Sequence, residues 1–170
     1  MKVTAIVFAG NMLVAAGASA QVTDPQIAKI VVTANQVDID AGKLAASKGT
    51  DAEVKKFAQT MVTDHTGVNK QAVALVTKLK VTPADNDTAK SLYDGGVANV
   101  ANLKTLKGKE FDKAYIDHEV AYHTAVIDAV DKTLIPGAQN EELKALLVKV
   151  RPAFVAHLEH AKMIQASLSK

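Results

Sequence analysis

The 170-residue chain has no cysteine and no tryptophan, and only four phenylalanines, three tyrosines and four prolines. Without cysteine no disulfide can hold it, so its stability must come from a hydrophobic core or a bound ligand. Acidic and basic residues are interspersed and nearly balanced, with a formal charge of +2. No basic stripe interleaved with aromatic rings is present, so nucleic acid is not an expected partner. The same balance gives little attraction to anionic lipid surfaces. Familiar catalytic patterns are missing too: there is no cysteine nucleophile, no Gly-x-Ser-x-Gly elbow, no Walker-type loop and no His-Glu-x-x-His. Ser47, Ser91, Ser167 and Ser169 stand in no pattern that suggests an activated hydroxyl. The sequence therefore assigns no catalytic residue.

The first residues have a character of their own. Met1-Lys2 gives a small positive start, Val3 to Gly17 is mostly apolar, and Ala18-Ser19-Ala20 precedes Gln21. This pattern predicts a secretory signal peptide over residues 1–20, cleaved after Ala20. The apolar run is shorter than the roughly 20 residues a bilayer-spanning helix needs, so no stable membrane insertion is expected after cleavage. The destination is periplasmic or secreted. Residues 21–170 suffice for one domain that buries roughly two thirds of its unfolded surface.

Apolar residues in that domain recur at alternating four- and three-residue spacing, which keeps them on one helical face. Asp24-Pro25 predicts a helix start, with Asp24 as the cap, and Lys48-Gly49 an end. Thr50 or Asp51 caps a second helix reaching about Lys80, stopped by Val81-Thr82-Pro83. The short link makes these two helices antiparallel neighbours. Ala84 to Gly108 reads as a crossover carrying a short helix that contains Gly95-Gly96. A third long helix runs from about Lys109 to Leu134, before Ile135-Pro136-Gly137. A fourth runs from Asn140 or Glu141 to about Leu168, with a kink expected at Pro152. No strand-like alternation of useful length appears. The expected fold is all-α, a four-helix bundle with a crossover connection.

Within the apolar seams three positions carry histidine. The second helix reads Met61, His65, Val68; the third Val120, His123, Ile127; the fourth Phe154, His157, Ala161. Each histidine lies near the middle of its helix, so the three imidazoles are predicted to enter one interior at one level. Asp38 beside Val37, Asp64 beside His65, and Glu119 one turn before His123 flank the seams within reach of that level. His160 is placed similarly, whereas His118 and Glu159 project away. Histidines and carboxylates converging from several helices suit a transition metal such as iron, manganese, zinc or copper. The candidate metal ligands are His65, His123, His157, Asp38, Asp64 and Glu119. The alternative is a buried polar network that only fixes helix register.

Four segments carry a family resemblance: Asp38-Ile39-Asp40-Ala41-Gly42-Lys43-Leu44-Ala45, Phe57 through Asp64-His65, Phe111-Asp112-Lys113-Ala114-Tyr115-Ile116-Asp117, and Pro152 to His157-Leu158. Together they resemble the DUF4142 family of exported bacterial proteins of unknown function, and the resemblance spans nearly the whole of residues 21–170. It implies a ferritin-like bundle in which Asp64-His65, Asp117, His123 and His157 occupy the family's characteristic polar positions. Asp38 stands where the family commonly carries glutamate. The Glu-x-x-His motif of di-iron bundles is absent, which speaks against di-iron oxidation chemistry. Two functions remain. One is a periplasmic ferritin-like protein that binds a metal or small cofactor for storage, sensing or redox protection. The other is a non-catalytic envelope interaction or stress protein whose histidines are structural.

Overall fold

The computed structural model describes residues 21–170, so the expected signal peptide lies outside the described residues. All regular structure within them is helical. The elements are α1 (Asp24–Lys48), α2 (Ala52–Leu79), α3 (Asp87–Thr105), α4 (Gly108–Ala129), one π-helical turn (Val130–Leu134), a three-residue turn α5 (Ile135–Gly137), and α6 (Glu141–Leu168). No helix among the described residues is long and apolar enough to cross a membrane.

The helix ends follow from side chains that answer otherwise unpaired backbone groups. Asp51 accepts from the backbone N–H of Glu53 and Val54, Asn86 from Ala89, and Asn140 from Glu142 and Leu143. The start of α1 differs from expectation. Thr23 is the cap, and its backbone N–H donates to Gln26 Oε1 at 3.0 Å. Asp24 instead bonds across the fold. It accepts from Gln139 N at 2.8 Å and Asn140 N at 2.9 Å, which ties the start of α1 to the start of α6. At the opposite end buried Asp112 accepts from the backbone N–H groups of Thr50 and Asp51 and from the Thr50 hydroxyl, pinning the α1–α2 turn to α4.

α1 packs along α2, and α4 along α6. The crossover helix is longer than the sequence suggests. α3 has 19 residues and lies against α1. Gly96 permits the close approach to α1: a Cβ there would come within 2.6 to 3.2 Å of Val37 side-chain atoms. Val37 therefore faces α3, and α1 is buried on two sides. α4 reaches Ala129 and passes into the π-helical turn, so the helical path ends at Gly137 rather than Leu134. α6 runs through Pro152 as one helix, with that proline exposed.

The apolar core falls into two clusters. One holds Ile27, Val31, Val68, Leu134, Leu147 and Phe154; the other holds Ala41, Met61, Phe57, Ile116, Tyr115 and Ala161. Along α1, α2, α4 and α6 the polar residues Asn35, Asp38, His65, Glu119, His123 and His157 fall between the two, and all are buried. A polar layer thus crosses the middle of the protein.

The close α1–α3 contact makes a prediction. Gly96→Ala forces a methyl group onto Val37 and should destabilise the fold by about 1–3 kcal/mol. Gly95→Ala meets open space in the same helix and should stabilise by about 0.5–1 kcal/mol. Denaturant unfolding of the two variants checks this, and equal effects would contradict the packing of α3 on α1.

Candidate metal centre

His65 from α2, His123 from α4 and His157 from α6 form a nearly equilateral triangle. Their ring centroids lie 5.6, 5.3 and 5.5 Å apart. The seam spacing predicts this common level, and the three residues are 0 to 6 % exposed. Phe154 stacks flat on His65 at 5.5 Å and helps hold that ring.

Each ring has one nitrogen engaged and the other buried without a partner. Asn35 donates its amide N–H to Val31 O at 2.8 Å, so its Oδ1 faces His65 Nδ1 at 2.7 Å and accepts a hydrogen bond. The network therefore assigns the proton of His65 to Nδ1 and leaves Nε2 with a lone pair. His123 Nδ1 lies 3.1 Å from the carbonyl of Glu119, one turn earlier, and donates to it. His157 donates from Nε2 to Asp64 Oδ2 at 2.9 Å. The remaining atoms, His65 Nε2, His123 Nε2 and His157 Nδ1, are buried without a hydrogen-bond partner.

Carboxyl groups adjoin the triangle. Asp38 Oδ2 lies 3.2 Å from His65 Nε2 and 3.8 Å from His123 Nε2, close but not aligned as a hydrogen bond to either. Glu119 Oε2 is 3.4 Å from His123 Nδ1. Donor atoms of Asp38, Glu119 and His123 lie within 4.8 Å of one another, as do those of the three histidines. Of the six candidates, five thus share the buried layer. Asp64 does not: its side chain is 45 % exposed and it holds His157 from outside.

Burial governs the protonation of the layer. Desolvation pushes His65 down to about 2, reinforced by repulsion from His123 and His157. It also lowers His157, against the opposing pull of Asp64. Desolvation pushes Glu119 up to about 7. Asp38 is raised well above the carboxylate range, first by burial and then by the Glu119 charge. Tyr115, whose buried hydroxyl adjoins Glu119, is raised for the same two reasons. Burial thus pushes the His65 and His157 imidazoles and the Asp38 and Glu119 carboxyls toward their uncharged forms.

Asn35, Tyr115 and Tyr122 also belong to the site, beyond the residues that the seam pattern marks. Tyr122 donates to Ala34 O at 3.0 Å, and half-buried His118 stacks on its ring at 5.6 Å. His160 packs edge-on against Phe57 at 5.3 Å. A signal for Asn35 exists: Val31, Asn35, Asp38, Gly42 and Ala45 repeat the four-three spacing along a second face of α1, and all five are buried. Glu119 likewise continues the series Asp112, Ile116, Glu119, His123 on α4, which is buried throughout.

These shifts predict a two-sided pH dependence of stability in the presence of a chelator. His65 and His157 have depressed folded pKa values, so their contribution is present above about 6.5 and is lost as pH falls. Glu119 has a raised folded pKa, so its contribution is present below the ordinary carboxylate range and is lost as pH rises through about 7. Between about pH 5 and 6.5 the two oppose each other. Glu119→Gln removes the Glu119 part of the carboxyl effect and leaves that of Asp38, so its melting temperature should fall more steeply than that of the wild type from neutral to mildly acidic pH. On the alkaline side it should fall less. Parallel melting curves for the two proteins would contradict a Glu119 carboxyl raised by burial.

No curated protein and no solved structure matches the chain. The family described as "Domain of unknown function (DUF4142)" does match, over residues 10–164. That span includes every residue of the polar layer and starts within the expected signal peptide. The resemblance read from the four sequence segments is thereby established: the chain belongs to the DUF4142 family.

Proposed function

We propose that this is an exported protein that holds a transition-metal ion at the middle of a ferritin-like four-helix bundle. The donors are His65 Nε2, His123 Nε2, His157 Nδ1 and the Asp38 carboxylate, with Glu119 beside them. One observation carries the reading: three imidazoles meet with a ring nitrogen of each within 4.8 Å of the others, and each spends one nitrogen on a hydrogen-bond partner and keeps the other buried without one. A purely structural network pairs its buried polar atoms, because leaving them unpaired costs desolvation without return. The outer partners do what supporting groups do at metal sites, fixing each tautomer and ring orientation. Asp64 is one of these partners to His157, not a donor. A nitrogen-rich shell favours zinc, copper or iron over manganese.

The bundle reading rests on the polar layer, to which α1, α2, α4 and α6 each contribute, with α3 as the crossover. Export rests on the pattern of residues 1–20, and a bacterial periplasm is the destination it suits. Because burial raises the Asp38 and Glu119 carboxyls, metal binding displaces protons from the layer and weakens on acidification. No catalytic step is assigned to this shell.

Replacing His65, His123 or His157 with Leu tests the reading. In chelator each variant should stay folded, at most about 1–3 kcal/mol less stable than the wild type, the cost of leaving a ring's partner such as Asn35 Oδ1 unpaired. With zinc, copper or iron the wild type should gain about 2.7 kcal/mol at a hundredfold excess over the dissociation constant. The three variants should gain nothing, and His118→Leu should respond as the wild type does. If no metal shifts the wild type and the three variants behave like the His118 control, the histidines are structural. The envelope interaction or stress function then takes the place of metal binding.

A further inference from the structure

A cavity of about 320 Å³ enters the protein between α3 and the end of α4 and reaches the polar layer. The exposed residues Thr88, Ala125 and Thr133 mark its mouth. Its walls are mainly aliphatic, with Phe154 the one phenylalanine. Asp38, His65 and His123 lie at the inner end, and the π-helical turn forms part of one side. Its volume is about twice the roughly 150 Å³ of a cavity that takes benzene, and it falls at the small end of ligand pockets. One ring with a short substituent fits, whereas a long acyl chain does not.

The chemistry of the inner end narrows the ligand further. No lysine or arginine lines the cavity, and Asp38 is its one acid, so an organic anion finds no counter-charge. The amide of Asn35 is spent on Val31 and His65, and the hydroxyl of Tyr122 on Ala34. What remains are the Nε2 atoms of His65 and His123, both lone-pair acceptors by the tautomers assigned above, and Asp38 Oδ1, a third acceptor beside them. An apolar molecule seated here must therefore offer a donor. An uncharged hydroxyl loses far less hydration than an ammonium group on entering such a space.

We infer that the cavity binds an uncharged substituted phenol, with the ring along the apolar walls and the hydroxyl directed at His65 Nε2 and His123 Nε2. The inference rests on the polar layer being a binding site, as under Proposed function. It does not depend on which metal is held: the hydroxyl donates to the histidines in the metal-free protein and offers its oxygen to an ion where one is bound.

Calorimetric titration of the chelator-treated protein with 4-propylphenol tests it, with propylbenzene and 4-propylbenzoate as comparisons. Saturable binding of the phenol is expected, with propylbenzene roughly tenfold weaker for want of the hydrogen bond and no binding of the benzoate. Ala129→Phe and Thr88→Phe, which narrow the cavity from opposite sides, should each weaken the phenol by about tenfold or more and leave the zinc-induced melting shift intact. Absence of saturable phenol binding, equal binding of propylbenzene or the benzoate, or undiminished binding in both variants would overturn the inference. Phenol binding without any metal response would defeat the metal reading alone. A metal response without phenol binding would defeat this one alone.

Discussion

A buried polar atom is tolerated only when something answers its hydrogen-bonding capacity, and the middle of this protein concentrates atoms for which the fold supplies no answer. His65 Nε2, His123 Nε2 and His157 Nδ1 lie buried there without a partner, beside the Asp38, Glu119 and Tyr115 side chains that adjoin one another. The other nitrogen of each ring is paired. Asn35, Asp64 and the Glu119 carbonyl each hold one ring, and Phe154 stacks on another face of His65. Orientation is satisfied while binding capacity is left over. That combination is compatible with a metal site, and the proposed function rests on it.

The remainder of the fold keeps this layer in place. Apolar clusters on both sides exclude water and fix the helices against one another. Asp24 clasps α1 to the start of α6 at one end, and Asp112 clasps the α1–α2 turn to α4 at the other. These carboxylates work by accepting backbone N–H groups across elements far apart in sequence, so each replaces part of what a disulfide does in a chain without cysteine. Side chains brought from α1, α2, α4 and α6 can then meet to within a few ångströms. The cavity from the α3–α4 side gives the layer an apolar approach.

Much of this was legible in the sequence because helical periodicity is a local signal. The four-three spacing put His65, His123 and His157 on interior faces, and the similar helix midpoints put them at one depth. Ring centroids within 5.6 Å of each other agree with both steps. The harder features depend on contacts between helices. Val37 reads as the centre of the α1 seam, yet it packs on Gly96 of α3, and Asn35 and Asp38 occupy the face toward the histidines. A helix buried on two sides carries two overlapping seams, and spacing alone does not rank them. Asp64 and Glu119 look equivalent as flanking carboxylates. Glu119 is 0 % exposed, whereas the Asp64 side chain stays at the rim, 45 % exposed, a difference that spacing along one helix does not encode. The cavity leaves no linear trace, because its walls come from several separate stretches of chain.

The central claim is that the unpartnered ring nitrogens belong to a metal. Elemental analysis of untagged protein, purified without chelator from its native compartment, tests it most directly. The structure predicts about one equivalent of zinc, copper or iron per chain, absent from a His65→Leu/His123→Leu variant prepared in parallel. A wild type that emerges metal-free and also fails to retain any of these ions after dialysis against them would contradict it.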